Sequence, residues 1–264
     1  IVFHAGIGQD FSLPFLDPTP EDIPSTFIDP EMIKSSTGED VITIGTNAID
    51  KGIILPETQN HLNYDISNSM FSNESDPCDY QYGLSGTLSL MIGFAIGLPP
   101  LWNIENGNSR IGVFGLMDQG SNNGRGLVPS PPDPWTRIHA GWEVATIIDD
   151  NSEISLPRVS KNNIARVNIN ESEYFLIENR INHFRKGVSL DSIRFKMWEE
   201  TDTYPSFITI LKDSVEVEQD DNGVITKIPN YDIGLSGSGL LIWHIDDNRI
   251  QQGIDDYSIN KLVS

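Results

Sequence analysis

The stretch Gly86-Thr-Leu-Ser-Leu-Met-Ile-Gly-Phe-Ala-Ile-Gly-Leu-Pro-Pro100 is the most apolar segment of an otherwise acidic and polar chain. Between Leu88 and Ile96, only Ser89 and Gly93 interrupt the apolar side chains. A helix that is apolar all round is buried on every face. At about 10 residues the run is far shorter than the ~20 that cross a bilayer. The stretch therefore predicts a buried core helix.

Signals for both ends of this helix flank the apolar run. The hydroxyl of Ser85 or Thr87 can accept a hydrogen bond from a free backbone N–H group in the first turn. Gly97 is followed by two prolines, and glycine and proline at these positions end helices because proline cannot continue one. We expect a cap from one of the two hydroxyls and an end at Gly97.

Composition and charge limit the classes of function. The chain has 264 residues, of which 38% are hydrophobic, so it can bury a sizeable core in one large domain or two small ones. Its formal net charge of -21 disfavours nucleic acid and anionic membranes as partners. The lone cysteine, Cys78, excludes an internal disulfide. These properties suit an exported protein that its charge keeps soluble.

The N-terminal half contains short predicted strands. Ile1–Ala5 predicts a buried strand, and the Pro- and Asp-rich stretch Gly6–Pro30 predicts an irregular surface loop. Val41–Ile44 and Ile53–Leu55 predict two further strands, with a turn over Gly45–Gly52 between them.

The C-terminal half has the alternating apolar pattern of β-structure from Val144 onwards. Ser214–Ile228 predicts a hairpin with a type I′ turn at Asn222-Gly223. The continuous apolar run Gly239–Ile245 predicts a central strand. We expect residues 1–143 to form a core and residues 144–264 a β-rich continuation that packs on the same domain.

Five motifs in fixed order are informative together, although each is weak alone. They are Ile96-Gly-Leu-Pro99, Gly112-Val-Phe-Gly-Leu-Met-Asp-Gln-Gly-Ser-Asn-Asn123, Trp135-Thr-Arg-Ile-His-Ala-Gly-Trp142, Glu173-Tyr-Phe-Leu-Ile-Glu-Asn-Arg180 and Gly239-Leu-Leu-Ile-Trp-His-Ile-Asp246. In this order they resemble the immune inhibitor A family of secreted zinc metalloproteases. That family has a zinc helix H-E-x-x-H-x-x-G-L-P-D, a Met-containing turn G-V-x-x-L-M-x-x-G-S-x-N, and later E-Y-F-L-I-E-N-R and G-L-L-I-W-H-I-D. The resemblance covers roughly the C-terminal two-thirds of the chain.

The resemblance implies an α+β, zincin-like metalloprotease fold. In such a fold a mixed β-sheet covers a buried central helix, here the Gly86–Pro100 stretch, and a β-rich part follows. It also implies export from the cell, and calcium, which members of the family often bind. Asp149-Asp150 and Asp246-Asp247 are the first candidates for calcium ligands, although the sequence does not assign any.

The chain departs from the family's pattern at the residues that bind zinc and catalyse the reaction. Alignment on Gly97-Leu-Pro places Leu90 and Met91 at the first His and the Glu of the zinc motif, Phe94 at the second His, and Pro100 at the Asp ligand. A zinc hydrolase needs N, O or S donors at about 2 Å and a carboxylate base beside the bound water. The sequence therefore predicts neither zinc nor a catalytic residue, and apolar side chains that fill the former site as core.

Relocated sites have little support in the sequence. None of the histidines lies three or four residues from another His or Cys; they are His4, His61, His139, His183 and His244. We interpret His244 and His4 as hydrogen-bonded core histidines. The acidic Glu218–Gly223 stretch lacks the Glu that an EF-hand requires six residues after its glycine.

The resulting hypothesis is a secreted or cell-surface pseudopeptidase, catalytically inactive, that acts as a binding or structural module for an unidentified protein or surface polymer. It would not bind nucleic acid or insert into a membrane. Two alternatives stay open: a secreted metallopeptidase or other hydrolase with a relocated site, and a subunit of an extracellular assembly or filament.

Overall fold

The computed structural model describes residues 1–11, 22–59, 83–149, 153–157, 163–185, 187–202, 210–211 and 214–255. Cys78, His61 and Asp150, which the sequence singles out, lie outside these ranges. The described chain is a mixed α and β structure with several small sheets. Within it, no helix is both long and apolar enough to span a membrane.

The described residues contain five α-helices and thirteen strands, together with four short 3-10 helices. The helices are α1 (Pro30–Thr37), α2 (Ser85–Ala95), α3 (Pro134–His139), α4 (Leu190–Thr201) and α5 (Asp247–Asp255). The strands are β1 (Val2–Ile7), β2 (Thr26–Ile28), β3 (Ile42–Ile44), β4 (Asn47–Ile49), β5 (Gly52–Thr58), β6 (Thr146–Ile147), β7 (Ala165–Asn168), β8 (Glu173–Arg180), β9 (His183–Arg185), β10 (Val188–Ser189), β11 (Glu218–Gln219), β12 (Ile225–Lys227) and β13 (Gly239–Asp246).

The N-terminal sheet is mixed and has the strand order β1-β5-β2. β5 pairs with β1 in parallel and with β2 antiparallel. The predicted strand at the N-terminus exists, but its predicted burial is wrong, because β1 is an edge strand and Val2 and Phe3 are exposed. Helix α2 packs against β5 and β2, so the sheet covers the central helix.

Two predicted irregular regions contain strands. β2 lies inside the stretch predicted as a surface loop, and β4 lies inside the predicted turn before β5. Both are three-residue strands, too short for alternation to reveal, and their hydrogen bonds come from the partner strand. Helix α1 was not predicted, although Asp29, whose carboxylate accepts from the N–H of Met32 at 2.7 Å, and Gly38 supply caps at its two ends.

Helix α2 begins where the sequence predicts, but neither predicted hydroxyl caps it. Leu84 occupies the cap position and makes no side-chain hydrogen bond. Instead, the N–H of Gly86 donates to the carbonyl oxygen of Gly126 at 2.9 Å. A Cβ atom on Gly86 would overlap the carbonyl oxygen of Ser121. The loop backbone can approach this closely only because residue 86 is glycine, and its carbonyl group then accepts from one of the free N–H groups in the first turn.

The predicted end of α2 is confirmed, and its hydrogen bonds explain it. Gly97 has φ +92°, a left-handed conformation that favours glycine. Its N–H donates to the carbonyl oxygen of Phe94 at 2.9 Å, and the N–H of Leu98 donates to that of Gly93 at 2.9 Å. This pair of bonds is a Schellman motif, which satisfies carbonyl groups of the last turn.

The prediction that α2 is buried on every face is wrong. Ile92 and Ile96 are 40% and 57% exposed, whereas Gly86, Thr87 and Gly93 are buried. The sheet and the loop that follows the helix cover only part of its circumference. An apolar helix thus has one solvent-facing side, which the pattern of residue types alone does not distinguish.

The C-terminal sheet has the strand order β13-β8-β7-β6. β13 was predicted to be a central strand, and this is wrong: it pairs with β8 along its whole length and, among the described residues, with no strand on its other side. Leu240 and Ile242, which lie on the same face of the sheet, are 61% and 65% exposed, so this face is also uncovered. The apolar run indicates burial on both faces, but the structure gives it an open edge.

The hairpin near the C-terminus is confirmed, but its predicted turn is wrong. β11 and β12 pair antiparallel. The turn bond runs from the N–H of Gly223 to the carbonyl oxygen of Asp220 at 3.0 Å, and the N–H of Asp220 donates to the carbonyl oxygen of Val224 at 3.0 Å. Gly223 has positive φ and Asn222 does not. A type I′ turn needs both, so the loop is longer than two residues.

The main apolar core combines residues from both sides of residue 143. Its buried members are Leu98, Leu101, Met117, Trp135, Ile164, Tyr174, Leu176 and Ile245. A second cluster packs beneath α4 and contains, among others, Val128, Phe184, Leu190, Leu211 and Ile233. The two predicted parts of the chain thus share one core.

A buried ion network crosses the middle of the molecule. Arg180, 2% exposed, donates through Nε to Asp232 Oδ1 at 2.8 Å and through Nη1 to Glu178 Oε1 at 3.1 Å. Arg137 on α3 donates to Glu178 Oε2 at 2.9 Å. Arg180 also bonds the carbonyl oxygen of Phe114 at 3.2 Å. Strand β8 is thereby tied to a helix and two loops.

The close approach at Gly86 yields a testable prediction. We expect Gly86→Ala to lower the free energy of unfolding by at least about 1–3 kcal/mol, because the new methyl group must displace loop backbone. Urea denaturation would measure the change. Gly237→Ala is the matched control, since nothing lies within 4 Å of the added Cβ. Equal stability of the two variants would contradict the predicted overlap.

The buried network yields a second prediction. Asp232→Ala removes one partner of Arg180 and leaves part of a buried charge uncompensated, so we expect a loss of about 3–5 kcal/mol in unfolding free energy. The control is Asp40→Ala, which breaks the exposed Lys34–Asp40 pair and should cost about 0–1 kcal/mol. Chemical denaturation measures the unfolding free energy of both variants. Similar small losses of unfolding free energy in the two would contradict a structural role for the network.

Candidate functional site

Three of the four residues that align with the zinc motif of the resembling family line an open apolar cleft. Met91, Phe94 and Pro100 face a space of about 670 Å³. The other residues that line it are Ser25, Thr26, Phe27, Gly97, Leu98, Pro99, Ile104, Gly253 and Ile254. The walls are β2, the end of α2 with the loop after it, and α5.

The predicted filling of the former site as core is therefore wrong in part. Leu90 and Phe94 do pack against the main core, and Phe94 contacts the rings of Phe27 at 6.1 Å and Trp102 at 5.8 Å. The space beside them stays open. Its two outer walls belong to different units, since β2 is part of the N-terminal sheet and α5 follows β13 of the other sheet.

The cleft offers contacts rather than coordination chemistry. Among the described residues that line it, the only side-chain oxygens are the hydroxyls of Ser25 and Thr26, and none is a His, Cys, Asp or Glu. Across the described ranges, no group of three or more such residues could hold a metal ion. The thioether of Met91 is a weak acceptor. The lining suits an apolar segment of a partner.

The Met-containing turn lies directly beneath α2. Met117 is fully buried, and a Cβ on Gly93 would lie 2.6 Å from its Sδ atom. Asp118 holds the turn in shape: its Oδ2 atom accepts from the backbone N–H groups of Arg110 and Ile111 at 2.7 and 2.8 Å. Two residues of the motif that the sequence singled out thus support the helix at the former zinc site.

A second cavity lies at the C-terminal half of β13 and shares no lining residue with the cleft. It measures about 530 Å³. Its lining combines apolar and charged side chains: Leu101, Ile111, Asp133, Trp135, Glu173, Trp243, His244, Ile245, Asp246, Arg249 and Ile250. Sequence reasoning missed this cavity, because the pairing of β8 with β13 creates it.

Ionisable groups in the second cavity form pairs. His244 Nε2 lies 2.8 Å from Glu173 Oε1, and Arg249 Nε lies 3.7 Å from Asp246 Oδ2. Asp133 is buried and caps α3 through the N–H and hydroxyl of Thr136. Burial raises the pKa of the Asp133 carboxyl, and its hydrogen bonds to Thr136 oppose that rise.

The predicted core histidines are hydrogen-bonded but do not lie in the core. The side chain of His244 is 52% exposed and pairs with Glu173 at the mouth of the second cavity. His4 is also near the surface, where its ring contacts the carbonyl oxygens of Ala5 and Ile23 at 3.0 and 3.2 Å. Strands with one open edge expose residues that an apolar run predicts to be buried.

The carboxylates predicted as calcium ligands have protein partners. Asp246 Oδ1 accepts from the N–H of Arg249 at 3.1 Å and so caps α5. Asp247 Oδ1 accepts from the hydroxyl of Tyr174 at 2.9 Å, and burial is the main cause that raises the pKa of that tyrosine. Asp149 is exposed. The structure does not bring Asp149 together with the other two among the residues it describes.

Comparisons with family models, curated proteins and solved structures found no match to this chain. The resemblance to the immune inhibitor A proteases therefore rests on the five ordered motifs.

The buried carboxyl of Asp133 predicts a pH dependence. Its folded-state pKa lies above the ordinary 3.8, so the folded chain binds this proton more tightly than the unfolded chain. The group's contribution to stability is therefore present at low pH and is lost as pH rises through the raised pKa. Asp133→Asn carries no charge and keeps an acceptor for the N–H of Thr136.

We expect the unfolding free energy of the Asp133→Asn variant, relative to the parent protein, to rise between pH 3 and pH 7. Urea denaturation at pH 3, 5 and 7 would measure this difference. Asp40→Asn, at an exposed ion pair, serves as the control. A difference that stays constant across the range would contradict burial as the cause of the raised pKa.

Proposed function

We propose that this chain is a secreted or cell-surface, catalytically inactive relative of the immune inhibitor A metalloproteases that acts as a binding module. The single observation that carries the proposal is at the former zinc site. Met91, Phe94 and Pro100 replace the residues of a zinc hydrolase and line an open apolar cleft. A cleft that lacks donors and a base but stays open can bind a partner without cleaving it.

The surroundings of the cleft support a metalloprotease-like scaffold. α2 lies under a mixed sheet and above Met117, in the order that the helix and the Met-containing turn have in the resembling family. The turn is held by Asp118, and the end of the helix by Gly97. We infer that the scaffold around the site has been retained, while the zinc ligands and the catalytic Glu have been replaced.

The loss of chemistry is directly measurable. We expect the purified chain to contain far less than one equivalent of zinc by elemental analysis and to leave casein intact during prolonged incubation. The physical reason is that Leu90, Phe94 and Pro100 offer no donor atom and Met91 is no general base. Stoichiometric zinc together with chelator-sensitive cleavage of casein would overturn the proposal and favour a hydrolase with a relocated site.

The binding capacity of the cleft is testable with an uncharged apolar probe. We expect Nile red to bind the parent protein, with an increase in fluorescence, and to bind Met91→Ser several-fold more weakly, because the substitution removes apolar lining. Ile92→Ser is the matched control: it is the next residue of α2, it is 40% exposed, and it does not line the cleft.

Equal loss of Nile red binding in both variants would assign the dye to the surface of α2 rather than to the cleft. That outcome would contradict the proposed binding role of the cleft. Thermal denaturation of each variant shows whether a loss of binding reflects a loss of folded protein.

A further inference from the structure

The second cavity lies beside the C-terminal half of β13. Four consecutive residues, Trp243 to Asp246, line that cavity. Successive side chains of a strand point to opposite faces of the sheet, so one space contacts all four only where it passes around the edge or the end of the strand. Among the described residues, no strand occupies the edge of β13 opposite β8. An extended segment paired with this edge would therefore run past the cavity.

This edge lacks the devices that protect edge strands. Natural edge strands avoid pairing through charged side chains, prolines, bulges or short length. β13 is eight residues long, its pairing with β8 is without a bulge, it contains no Pro, and its one charged residue is the last, Asp246. Leu240 and Ile242 are more than 60% exposed beside it. An edge of this kind is a template for an added strand.

The charges around the cavity favour a basic occupant. Glu173 and Asp246 are partly exposed carboxylates in its lining, beside His244 and Arg249, whereas the third carboxyl, Asp133, is buried and hydrogen-bonded to Thr136. The indoles of Trp135 and Trp243 are also in the lining, and indole rings attract cations. The net charge of -21 for the whole chain acts in the same direction.

One donor in the lining has no acceptor. Trp243 Nε1 is buried and makes no hydrogen bond to the described residues. A buried indole N–H usually finds a partner. This atom has almost no exposed surface, so a carbonyl group of a bound segment reaches it only if the indole side chain shifts.

We propose that an extended polypeptide segment adds to the free edge of β13 and places a lysine or arginine side chain in the second cavity. Backbone hydrogen bonds to β13 supply affinity, and Leu240 and Ile242 contact apolar side chains of the segment on the outer face. Asp246 and Glu173 select the basic residue. The site is separate from the cleft at the former zinc positions and does not depend on the proposed function.

A second copy of this chain is a poorer occupant. Two chains of charge -21 repel each other. Residues Gly239–Asp246 also contain no Lys or Arg, so a second β13 would bring no basic side chain to the carboxylates. The proposed partner is therefore a different, basic polypeptide.

The first experiment varies the partner. A fluorescein-labelled peptide that alternates valine and threonine around a central lysine is titrated with the folded protein and followed by fluorescence anisotropy. A second peptide has norleucine, which keeps the aliphatic stem without the charge. Two further peptides carry N-methyl groups on alternate backbone amides. The two phases differ in that one peptide is methylated at the odd-numbered residues and the other at the even-numbered residues. We expect the lysine peptide to bind more tightly than the norleucine peptide, and only one N-methyl phase to abolish binding.

The second experiment varies the protein. Asp246→Asn keeps an acceptor for the N–H of Arg249 and removes the charge. We therefore expect it to lower the affinity for the lysine peptide about two- to fivefold and to leave the affinity for the norleucine peptide unchanged. Ile242→Lys should lower the affinity for both peptides, because it replaces an apolar contact on the outer face. Val215→Lys, at a residue that is 93% exposed and outside the sheet, is the control and should change neither.

Three results would overturn the proposal. The first is an absence of peptide binding at millimolar concentration, and the second is equal affinity for lysine and norleucine peptides or for both N-methyl phases. The third is a dimer in sedimentation velocity that Ile242→Lys dissociates, because the edge would then be covered by a second copy. Retained thermal stability of each variant shows that altered binding is not a consequence of unfolding.

Discussion

A buried guanidinium must find its counter-charges inside the protein, and that requirement at Arg180 organises the middle of this molecule. Removing such a group from water costs several kcal/mol unless its partners are close and well oriented. Asp232, Glu178 and the carbonyl oxygen of Phe114 meet the requirement, and Arg137 shares Glu178 from α3. Because these partners come from separate stretches, β8 cannot take its place unless the loops and the helix take theirs. The main core and the second cluster lie on elements that this network joins.

A second constraint acts at α2, where loop backbone and a methionine approach two glycines. Gly86 contacts the loop backbone at Ser121 and Gly126, and Gly93 contacts the side chain of Met117. Leu90 and Phe94 add contacts with the main core. The close approaches at the two glycines do not depend on the residue types at Leu90, Met91 and Phe94. The place of the helix and the chemistry of those side chains are therefore physically separable, as the proposed function requires.

The molecule has two recesses of different chemistry. The cleft beside α2 is apolar and has only hydroxyl groups as polar side-chain groups, whereas the cavity beside β13 combines indoles with carboxylates. α5 contributes to both, with Ile254 in the cleft and Ile250 in the cavity. These residues are one helical turn apart, so one short helix forms part of the wall of each site. The acidic charge of the chain favours basic partners at the cavity and opposes self-association.

The sequence by itself determined the position and the end of α2, the strands β8 and β13, and the absence of imidazole and carboxylate groups at Leu90, Met91, Phe94 and Pro100. These features follow from local residue type, because an apolar run, a Gly-Leu-Pro-Pro stop and a missing imidazole need no partner to be recognised. Only the tertiary structure decided which sides of these elements are open. The cap of α2 comes from Gly126, the open edge of β13 from the strand order, and the cleft from walls on different sheets. Exposure depends on which distant element packs alongside, and a single run of residue types carries no information about that neighbour.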